Sequence, residues 1–277
     1  MTSLFFSADN MTAPDLDLSE LLRDSLPVSD QNGVNVVIPA AGEGRRFAEA
    51  GWLKPKPLID VNGFPMISLV VRNLSARHFN FNIAVQRRHR LGFENISFGD
   101  IKPPELHNIE GITSGAAETV LRVAQHLPPE LPLCIANSDQ IVDISIQDFV
   151  DDFVERQLDG SIMVFEDPTS NPKWSFAKLD DNGFVTEVAE KKPISNLATV
   201  GIYLFRRTDI FIAAVKQMVA ADDKTNNEYY NAPAFNYLIH AGGKVGCFEI
   251  SMTAMKPLGT PEDLERFLKD QPSAAHL

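Results

Sequence analysis

Short apolar runs alternate with amphipathic segments along most of this chain. The apolar runs are rich in Val, Ile, Leu and Phe, and several are bounded by Gly, Pro, Asn or Asp, which predicts buried strands. Between them, apolar residues recur at helical spacing, which predicts helices packed on those strands. The predicted strands are 34–38, 58–61, 81–86, 131–136, 161–165, 172–178, 184–189, 199–205 and 244–250. The predicted helices are 66–76, 115–125, 149–158, 209–221, 232–241 and a last one that begins at 261. At 277 residues, the chain is long enough for one sizeable α/β domain with a well-filled core.

The first predicted strand is followed by the most informative turn of the sequence. The strand ends at Pro39, and residues 40–44 (AAGEG) are mostly small, so the backbone can turn tightly and bring its N–H groups close to an anion. The cations of this stretch are Arg45, Arg46, Lys54 and Lys56. A glycine-rich turn after a strand, with cations in reach, is typical of a phosphate-binding loop.

Two common kinds of phosphate loop are excluded at this position. A Walker A loop closes with Gly-Lys-Ser or Gly-Lys-Thr, whereas this loop closes with Gly44-Arg45-Arg46. A dinucleotide-binding fingerprint requires a small residue where Phe47 stands, because the helix must pack closely on the strand there. A lone Gly-x-Gly is weak evidence, so this loop by itself does not identify the ligand.

The wider block is more specific than the loop alone. Three motifs, AAGxGxR at 40–46, KPKPL at 54–58 and VxGxPMI at 61–67, resemble the signature of the sugar-phosphate nucleotidyltransferases. The resemblance extends from Val34 to about Phe267. It implies a single doubly wound, Rossmann-like α/β domain with a mixed, mainly parallel sheet. It also implies a Mg²⁺-dependent reaction in which an acceptor oxygen attacks the α-phosphorus of an NTP and pyrophosphate leaves.

The resemblance implies nucleotide contacts from two segments of the chain. The loop residues expected to bind phosphates are Ala40, Ala41, Gly42, Gly44 and Arg45, together with Arg46 on the β- and γ-phosphates and Lys56 on the α-phosphate. Gly115 and Ala116 match a turn that lies against the base in the family, where larger side chains would obstruct a flat ring. Close packing of a helix start on a strand explains the same two residues equally well.

Asp139 is the candidate metal ligand. It follows the strand predicted at 131–136, and the ligand crevice of an open α/β sheet lies at the carboxyl ends of its strands. Mg²⁺ needs only one or two protein carboxylates when phosphate oxygens and water complete its shell. The alternative is an Asp that merely caps its own turn. Many family members carry a second ligand, an Asp, where this chain has Pro257, so a second ligand would be Asp143 or Glu249 if there is one.

The acceptor site is also inferred from the resemblance. Glu190 and Lys191 match a Glu-Lys pair of the family, in which the lysine reaches the acceptor phosphate. Lys192 is the second candidate for that lysine. Gly201 matches a glycine at the acceptor site, and Glu228 matches a glutamate that could bind an acceptor hydroxyl or amine. Trp174 is a further candidate for the pocket wall, although an aromatic side chain on a strand is more often part of the core. The expected catalytic set is therefore Arg46, Lys56 and Asp139.

Several motifs most resemble the branch found among capsule and surface-polysaccharide biosynthesis proteins; they are NSDQ, AEKKP, ATVGIYLF, NEYY and MKPLGTPEDL. Relatives there act on sugar 1-phosphates or transfer CMP to small phosphorylated metabolites, and the former acceptor is favoured. A glycosyltransferase of similar architecture would usually present Asp-x-Asp at its metal, whereas Asp139 is followed by Gln140 and Ile141. A nucleotide-binding regulator without catalysis is the third alternative, suggested by Pro257.

Composition limits the partners and the location. A formal charge of −12 argues against a nucleic-acid surface, because the cations cluster around one loop. No apolar run of about 18 residues predicts a membrane span, and two isolated cysteines suit a reduced protein, so we expect a cytoplasmic location. Residues 1–33 are interpreted as a mobile or loosely docked extension, 34–270 as the catalytic domain and 271–277 as a tail. A homo-oligomer is compatible with the resemblance, but no segment identifies an interface.

Overall fold

The structure is a computed structural model, and it describes residues 17–23 and 27–270. Its strands are β1 (Val34–Pro39), β2 (Asp60–Val61), β3 (Phe64–Pro65), β4 (Phe79–Gln86), β5 (Glu105–Ile109), β6 (Leu133–Ala136), β7 (Gln140–Val142), β8 (Gly160–Glu166), β9 (Ser175–Leu179), β10 (Val185–Glu190), β11 (Leu197–Phe205), β12 (Val245–Ile250) and β13 (Met255–Pro257). Its α-helices are α1 (Leu18–Arg23), α2 (Arg45–Glu49), α3 (Met66–Asn73), α4 (Arg90–Phe93), α5 (Ala116–Ala124), α6 (Ile146–Glu155), α7 (Thr208–Ala220), α8 (Ala234–His240) and α9 (Pro261–Asp270).

A nine-stranded sheet forms the centre of the protein. Its main path is β10-β9-β11-β6-β1-β4-β5, while β8 pairs with β11 and β12 pairs with β8. Strand β1 lies in parallel register with both β4 and β6, and β11 is antiparallel to β6, β8 and β9. All strands of this sheet except β10 and β11 run in the same direction. The expected mixed, mainly parallel sheet is confirmed.

Helices cover both faces of this sheet, as a doubly wound fold requires. One core cluster joins β1, through Val37, to residues of α5, α7 and α8. The opposite cluster joins β1, through Val36 and Ile38, to residues of α3 and α6. Because both faces are covered, β1 is buried along nearly its whole length instead of alternating between core and solvent. The single Rossmann-like α/β domain expected from the resemblance is confirmed.

Parallel pairing brings several strand ends to the same edge of the sheet. Strands β1, β4, β5 and β6 end at one edge, and ligands of open α/β sheets bind there. Strand β11 runs the other way and crosses this edge at Gly201, where its register with β8 shifts between Thr199 and Tyr203. A bulge next to a site re-aims backbone and side chains. The candidate residues therefore gather at this edge.

The structure differs from the sequence expectations in several short elements. Strand β5 and the β7–β13 pair were not predicted, because ELHNI is half polar and the other two strands have three residues each. The strand expected at 58–61 is instead a 3₁₀ helix, Lys56–Leu58, followed by the two-residue β2.

The described part of residues 1–33 is docked on the domain. Leu18 is 1% exposed in a core cluster, and Gln157 hydrogen bonds to the backbone N–H and C=O of Val28. The remainder of that extension, 1–16 and 24–26, and the tail 271–277 lie outside the described residues, so the domain boundaries stay predictions. None of the helices in 17–23 and 27–270 has the length and apolar character to cross a membrane.

Candidate active site

The loop after β1 forms one wall of a cleft at the carboxyl edge of the sheet. Ala40 and Ala41 are buried beneath it, whereas Gly42 is exposed. Gly44 lies against Lys56, since a Cβ added at Gly44 would stand 3.1 Å from the Cβ of Lys56. The loop and the lysine segment thus hold each other in place, although eleven residues of chain lie between Gly44 and Lys56.

Lys56 and Asp139 form the central contact of the site. Lys56 Nζ lies 2.7 Å from Asp139 Oδ2, and the two side chains are 21% and 24% exposed. Lys56 begins the 3₁₀ helix at Lys56–Leu58, and Asp139 stands between β6 and β7. The contact joins the lysine that the resemblance places at the α-phosphate to the carboxylate that it places at the metal.

The segment around Pro257 is packed against Asp139. Pro257 pairs with Gln140 across β13 and β7, and the Leu258 N–H donates to the Asp139 carbonyl oxygen at 2.8 Å. A Cβ added at Gly259 would stand 2.9 Å from Asp139 Oδ2, so a side chain there would displace the Asp139 carboxylate. The position at which family members carry a second Asp is therefore beside Asp139, but proline supplies no carboxylate.

The alternative metal ligands lie further away. Asp143 is exposed and follows the other end of β7, where its N–H donates to Ala254 O. Glu249 is on β12, which is separated from β6 by β8 and β11. Among the described residues no group of three or more His, Cys, Asp or Glu side chains could hold a metal ion.

A cleft of about 330 Å³ opens beside the loop. Its lining comprises Pro39, Ala41, Gly42, Glu43, Gly44, Arg45, Gln86, Ile112, Thr113, Gly115, Ala116, Thr119 and Glu228. Most of the predicted nucleotide contacts are thus brought together, while Ala40 lies behind the wall. Gln86, Ile112 and Thr119 were not singled out from the sequence, because one polar residue at a strand end and a short loop give no local signal.

Gly115 has a structural role as well as a place in the cleft. It begins α5 with φ 134°, and a Cβ there would stand 2.3 Å from the carbonyl oxygen of Tyr229. The Ala117 N–H donates to that same carbonyl at 3.0 Å, and the Tyr229 N–H donates to Ser114 O at 2.7 Å. The packing interpretation of this glycine is therefore supported, and it places the Tyr229 segment at the cleft.

Lys191 and Tyr230 form a contact near Glu228, which lines the cleft. Lys191 Nζ donates to the Tyr230 hydroxyl at 2.5 Å and lies 4.5 Å from the centre of its ring. Burial and the neighbouring Glu228 raise the pKa of Tyr230, with a further rise from Glu190, and Arg46 acts in the opposite direction. Four predicted site residues therefore surround one tyrosine that the sequence did not single out.

Glu190 is the most buried carboxylate of this group. Burial raises its pKa, while a hydrogen bond from Ser175 and the charge of Lys191 act in the opposite direction. The backbone N–H of Lys191 donates to Trp174 O at 3.0 Å, which fixes the end of β10 on the segment before β9. Lys192 is exposed and has the weaker placement of the two lysines.

Trp174 and Gly201 are the remaining candidates for the acceptor site. Trp174 is half-buried and packs edge-on against Phe165 at 5.4 Å, so it belongs largely to the core, as the alternative interpretation held. Gly201 has φ 93°, and a Cβ there would stand 2.1 Å from Asn137 Nδ2. The bulge in β11 is thus packed directly on the segment that carries Asp139.

Comparisons with known proteins identify the family of this chain. The chain belongs to the Nucleotidyl transferase family, whose family model matches residues 35–271. It is 25% identical to UTP–glucose-1-phosphate uridylyltransferase AglF of Haloferax volcanii over 236 residues, which cover 83% of this chain and 93% of that enzyme. It is 29% identical to glucose-1-phosphate adenylyltransferase of Clostridium acetobutylicum over 215 residues, or 70% of this chain and 56% of that enzyme.

A solved structure gives the same result. The crystal structure of the nucleoside-diphosphate-sugar pyrophosphorylase from Vibrio cholerae RC9 matches with a TM-score of 0.71 and 26% sequence identity, over 84% of this chain and 99% of that one. The expected class of enzyme is confirmed: the protein is a nucleotidyltransferase.

Proposed function

We propose that this nucleotidyltransferase transfers an NMP from an NTP to a sugar 1-phosphate and releases pyrophosphate. The observation that carries the proposal is the 2.7 Å contact between Lys56 Nζ and Asp139 Oδ2, at the sheet edge where the loop of 40–45 forms its cleft. This geometry would place the α-phosphate and a metal at one point. The acceptor class rests on the names of the relatives, two of which specify glucose 1-phosphate.

The triphosphate would lie along the loop. The exposed backbone at Gly42 leaves room for phosphate oxygens to approach the N–H groups. Arg45 and Arg46 are exposed at the start of α2 and would neutralise the β- and γ-phosphates, while Lys56 would contact the α-phosphate. Such preorganised cations stabilise the charge that develops on phosphate oxygens during the displacement.

Asp139 would hold Mg²⁺. One carboxylate suits this ion, which usually keeps several waters and binds phosphate oxygens besides one or two protein carboxylates. Pro257 supplies no second carboxylate beside it, so this site would depend on Asp139 more than sites with two acidic ligands do. When bound, the ion supplies neutralising charge to the phosphate oxygens.

The acceptor would enter between the loop and the Lys191–Tyr230 pair. Its phosphate oxygen attacks the α-phosphorus, the bond from that phosphorus to the bridging oxygen breaks, and pyrophosphate leaves with the bonding electrons. Lys191 would orient the acceptor phosphate, and Glu228 and the bulge at Gly201 would contact the sugar. The acceptor phosphate is largely ionised at neutral pH, so no general base is required. The site therefore acts by positioning and charge neutralisation.

Pyrophosphate release tests the proposal. Purified protein is incubated with Mg²⁺, each of four NTPs, and a panel of sugar 1-phosphates and small phosphorylated metabolites. We expect release only when an NTP and a sugar 1-phosphate are both present. Pyrophosphate release only with the small phosphorylated metabolites would show that the acceptor is such a metabolite and not a sugar 1-phosphate. In parallel experiments, turnover of an added nucleotide-sugar without pyrophosphate release would instead identify a glycosyltransferase, and NTP binding without any turnover would identify a regulator.

A further inference from the structure

Ile112 is an exposed apolar residue in the lining of the cleft. It is 69% exposed. It belongs to an uncharged stretch of that lining, together with Thr113, Gly115, Ala116 and Thr119. The charged residues of the lining are Glu43, Arg45 and Glu228. A single exposed apolar side chain is common on a protein surface, but one that lines a cleft is available to an apolar part of a ligand.

The segment that carries Ile112 is held on both sides of this residue. Before it, the carbonyl oxygen of Gly111 accepts from Gln86 Nε2 at 2.8 Å. After it, the N–H of Ser114 donates to Glu118 Oε2 at 2.6 Å. A residue between two anchored neighbours does not carry the ordering cost that a free loop would have on binding a ligand. Ile112 is thus both exposed and preorganised.

Glu118 and Arg122 together tie both ends of this segment, residues 110–115, to α5. Glu118 is 1% exposed, and its Oε1 accepts from Arg122 Nε at 3.0 Å. Arg122 Nη1 in turn donates to the carbonyl oxygen of Glu110 at 3.4 Å. A buried carboxylate is costly unless a charged partner and hydrogen bonds compensate it. Here both members of the ion pair also bond to the backbone of the segment, so one side-chain pair sets its position.

The cleft and an NTP have the same distribution of charge. An NTP carries its charge on the phosphates at one end, and its base presents two flat faces of low polarity at the other. With the phosphates on the loop at 40–45, the rest of the nucleotide would extend along the lining towards the uncharged stretch at Ile112. An aliphatic side chain on a ring face removes apolar surface from water. Such a contact does not depend on the groups at the edge of the ring, so it would serve any base.

We propose that Ile112 forms the apolar surface on which the base of the NTP packs, and that Glu118 is a positioning residue that holds Ile112 there. The proposal rests on the proposed function for the placement of the triphosphate on the loop. It adds a base contact that the sequence did not indicate, and it assigns a role to the buried pair of Glu118 and Arg122.

Titration calorimetry with Mg²⁺ and without acceptor measures the affinity of the whole protein for ATP, CTP, GTP and UTP. Ile112→Ser should bind each NTP that the unsubstituted protein binds about tenfold more weakly, because the base loses its apolar contact. Leu91→Ser is the matched control, since Leu91 is an exposed leucine on α4 outside the lining of the cleft, and its NTP affinity should not change. Parental affinity in Ile112→Ser would overturn this inference alone. Absence of binding of any NTP to the unsubstituted protein would overturn the proposed function.

Inorganic tripolyphosphate separates a base contact from an effect on the phosphate loop. It has the charges of the triphosphate but no base, and its affinity is measured by displacement of the bound NTP. We expect the unsubstituted protein and Ile112→Ser to bind tripolyphosphate equally well. A loss as large as that for the NTP would contradict the base contact. Failure to displace the NTP from the unsubstituted protein would argue against the phosphate loop, and therefore against the proposed function.

Glu118→Ala tests the positioning role. Alone, it should weaken NTP binding by about the same factor as Ile112→Ser, because Ser114 loses the acceptor of its N–H. In the Ile112→Ser background it should have little further effect, since no apolar contact is left to position. A full additional loss in that background would show that Glu118 does not act through Ile112.

A conservative variant and a folding check complete this test. Glu118→Gln keeps an oxygen for the Ser114 N–H, so it should recover most of the affinity that Glu118→Ala loses. A Glu118→Gln protein as weak as Glu118→Ala would contradict the positioning role. Thermal unfolding shows which variants are folded. Ile112→Ser, at an exposed position, decides the base contact if Glu118→Ala does not fold, and Glu118→Gln in the two backgrounds then decides the positioning role.

Discussion

Lys56 and Asp139 are 83 residues apart in the sequence, yet Nζ of one lies 2.7 Å from Oδ2 of the other. Asp139 lies between β6 and β7, and its backbone carbonyl also accepts a hydrogen bond from the Leu258 N–H. The pair therefore links the β1 loop region, the strand β6 and the last part of the domain. It sits where the proposed reaction needs both a cation and a metal-binding carboxylate.

Substitution of either partner should affect turnover far more than stability. Lys56→Ala and Asp139→Asn each should lower turnover at least about a hundredfold, because each removes one preorganised electrostatic contact. The free energy of unfolding should change by only about 1 kcal/mol, since both side chains are partly solvated. Lys102→Ala, in the loop before β5 at the opposite sheet edge, is the control. Near-parental turnover in either variant would contradict the role given to that residue.

Two glycines of the cleft should respond differently to alanine. Gly42 has nothing within 4 Å of an added Cβ, so Gly42→Ala should change stability by less than about 0.5 kcal/mol. It should nevertheless weaken NTP binding about tenfold, because the methyl group stands where phosphate must approach the backbone. Gly115→Ala should lower the free energy of unfolding by roughly 1–3 kcal/mol or more, since its Cβ would meet the Tyr229 backbone. Urea unfolding and NTP titration measure both effects, and unchanged NTP affinity in Gly42→Ala would argue against the phosphate loop.

Tyr230 should act as a positioning residue for Lys191. Tyr230→Phe keeps the ring but removes the hydroxyl that accepts from Lys191 Nζ, so the lysine loses its fixed direction. We expect KM for the acceptor to rise about tenfold, with little change in kcat and none in NTP affinity. Tyr237→Phe, which removes a hydroxyl bonded to Asp223, should leave all three parameters unchanged. An acceptor KM equal to the parental value in Tyr230→Phe would show that Lys191 does not depend on this contact.

Glu190 should make stability fall as pH rises. Burial raises the pKa of Glu190 in the folded protein above the ordinary value of 4.5. At pH values between these two pKa values, the folded state keeps a proton that the unfolded state has released. The stabilising effect of protonation is present below 4.5 and is lost as pH rises through the folded-state pKa. Glu190→Gln cannot ionise and keeps an oxygen for Ser175, so its stability relative to the parent should increase with pH.

Urea unfolding between about pH 4 and pH 8 measures this trend. Glu187→Gln, an exposed position on the same strand, supplies the baseline. Parallel stability curves for the parent and Glu190→Gln would show that burial does not shift this carboxylate.

The sequence predicts those parts of the candidate site that are set by short stretches of the chain. The loop at 40–45 follows from a β-branched strand, small residues and adjacent arginines, and Asp139 from its position after a core strand. The contact with Lys56 could not be predicted in the same way, because it depends on how two distant turns meet at one sheet edge. The burial of Leu18 could not be predicted either, because a short amphipathic segment does not show which surface of the domain it will pack against.

Tyr230 and Gln86 show a second limit. A tyrosine beside a glutamate, or a glutamine at the end of an apolar strand, has no distinctive spacing. Their interest comes from their partners, Lys191 Nζ for one and two backbone carbonyls for the other. Side-chain roles set by tertiary contacts need coordinates, whereas the fold class and the family resemblance do not.

The pairing of β13 with β7 has a consequence for how the enzyme matures. Leu258 and Gly259 contact Asp139, and the ribosome adds them more than a hundred residues after it. A nascent chain can therefore complete most of its sheet and still lack the contacts that hold Asp139. The hydrogen bond from Leu258 to Asp139 can form only late in synthesis, when the strand at Met255–Pro257 has emerged and paired with the middle of the chain.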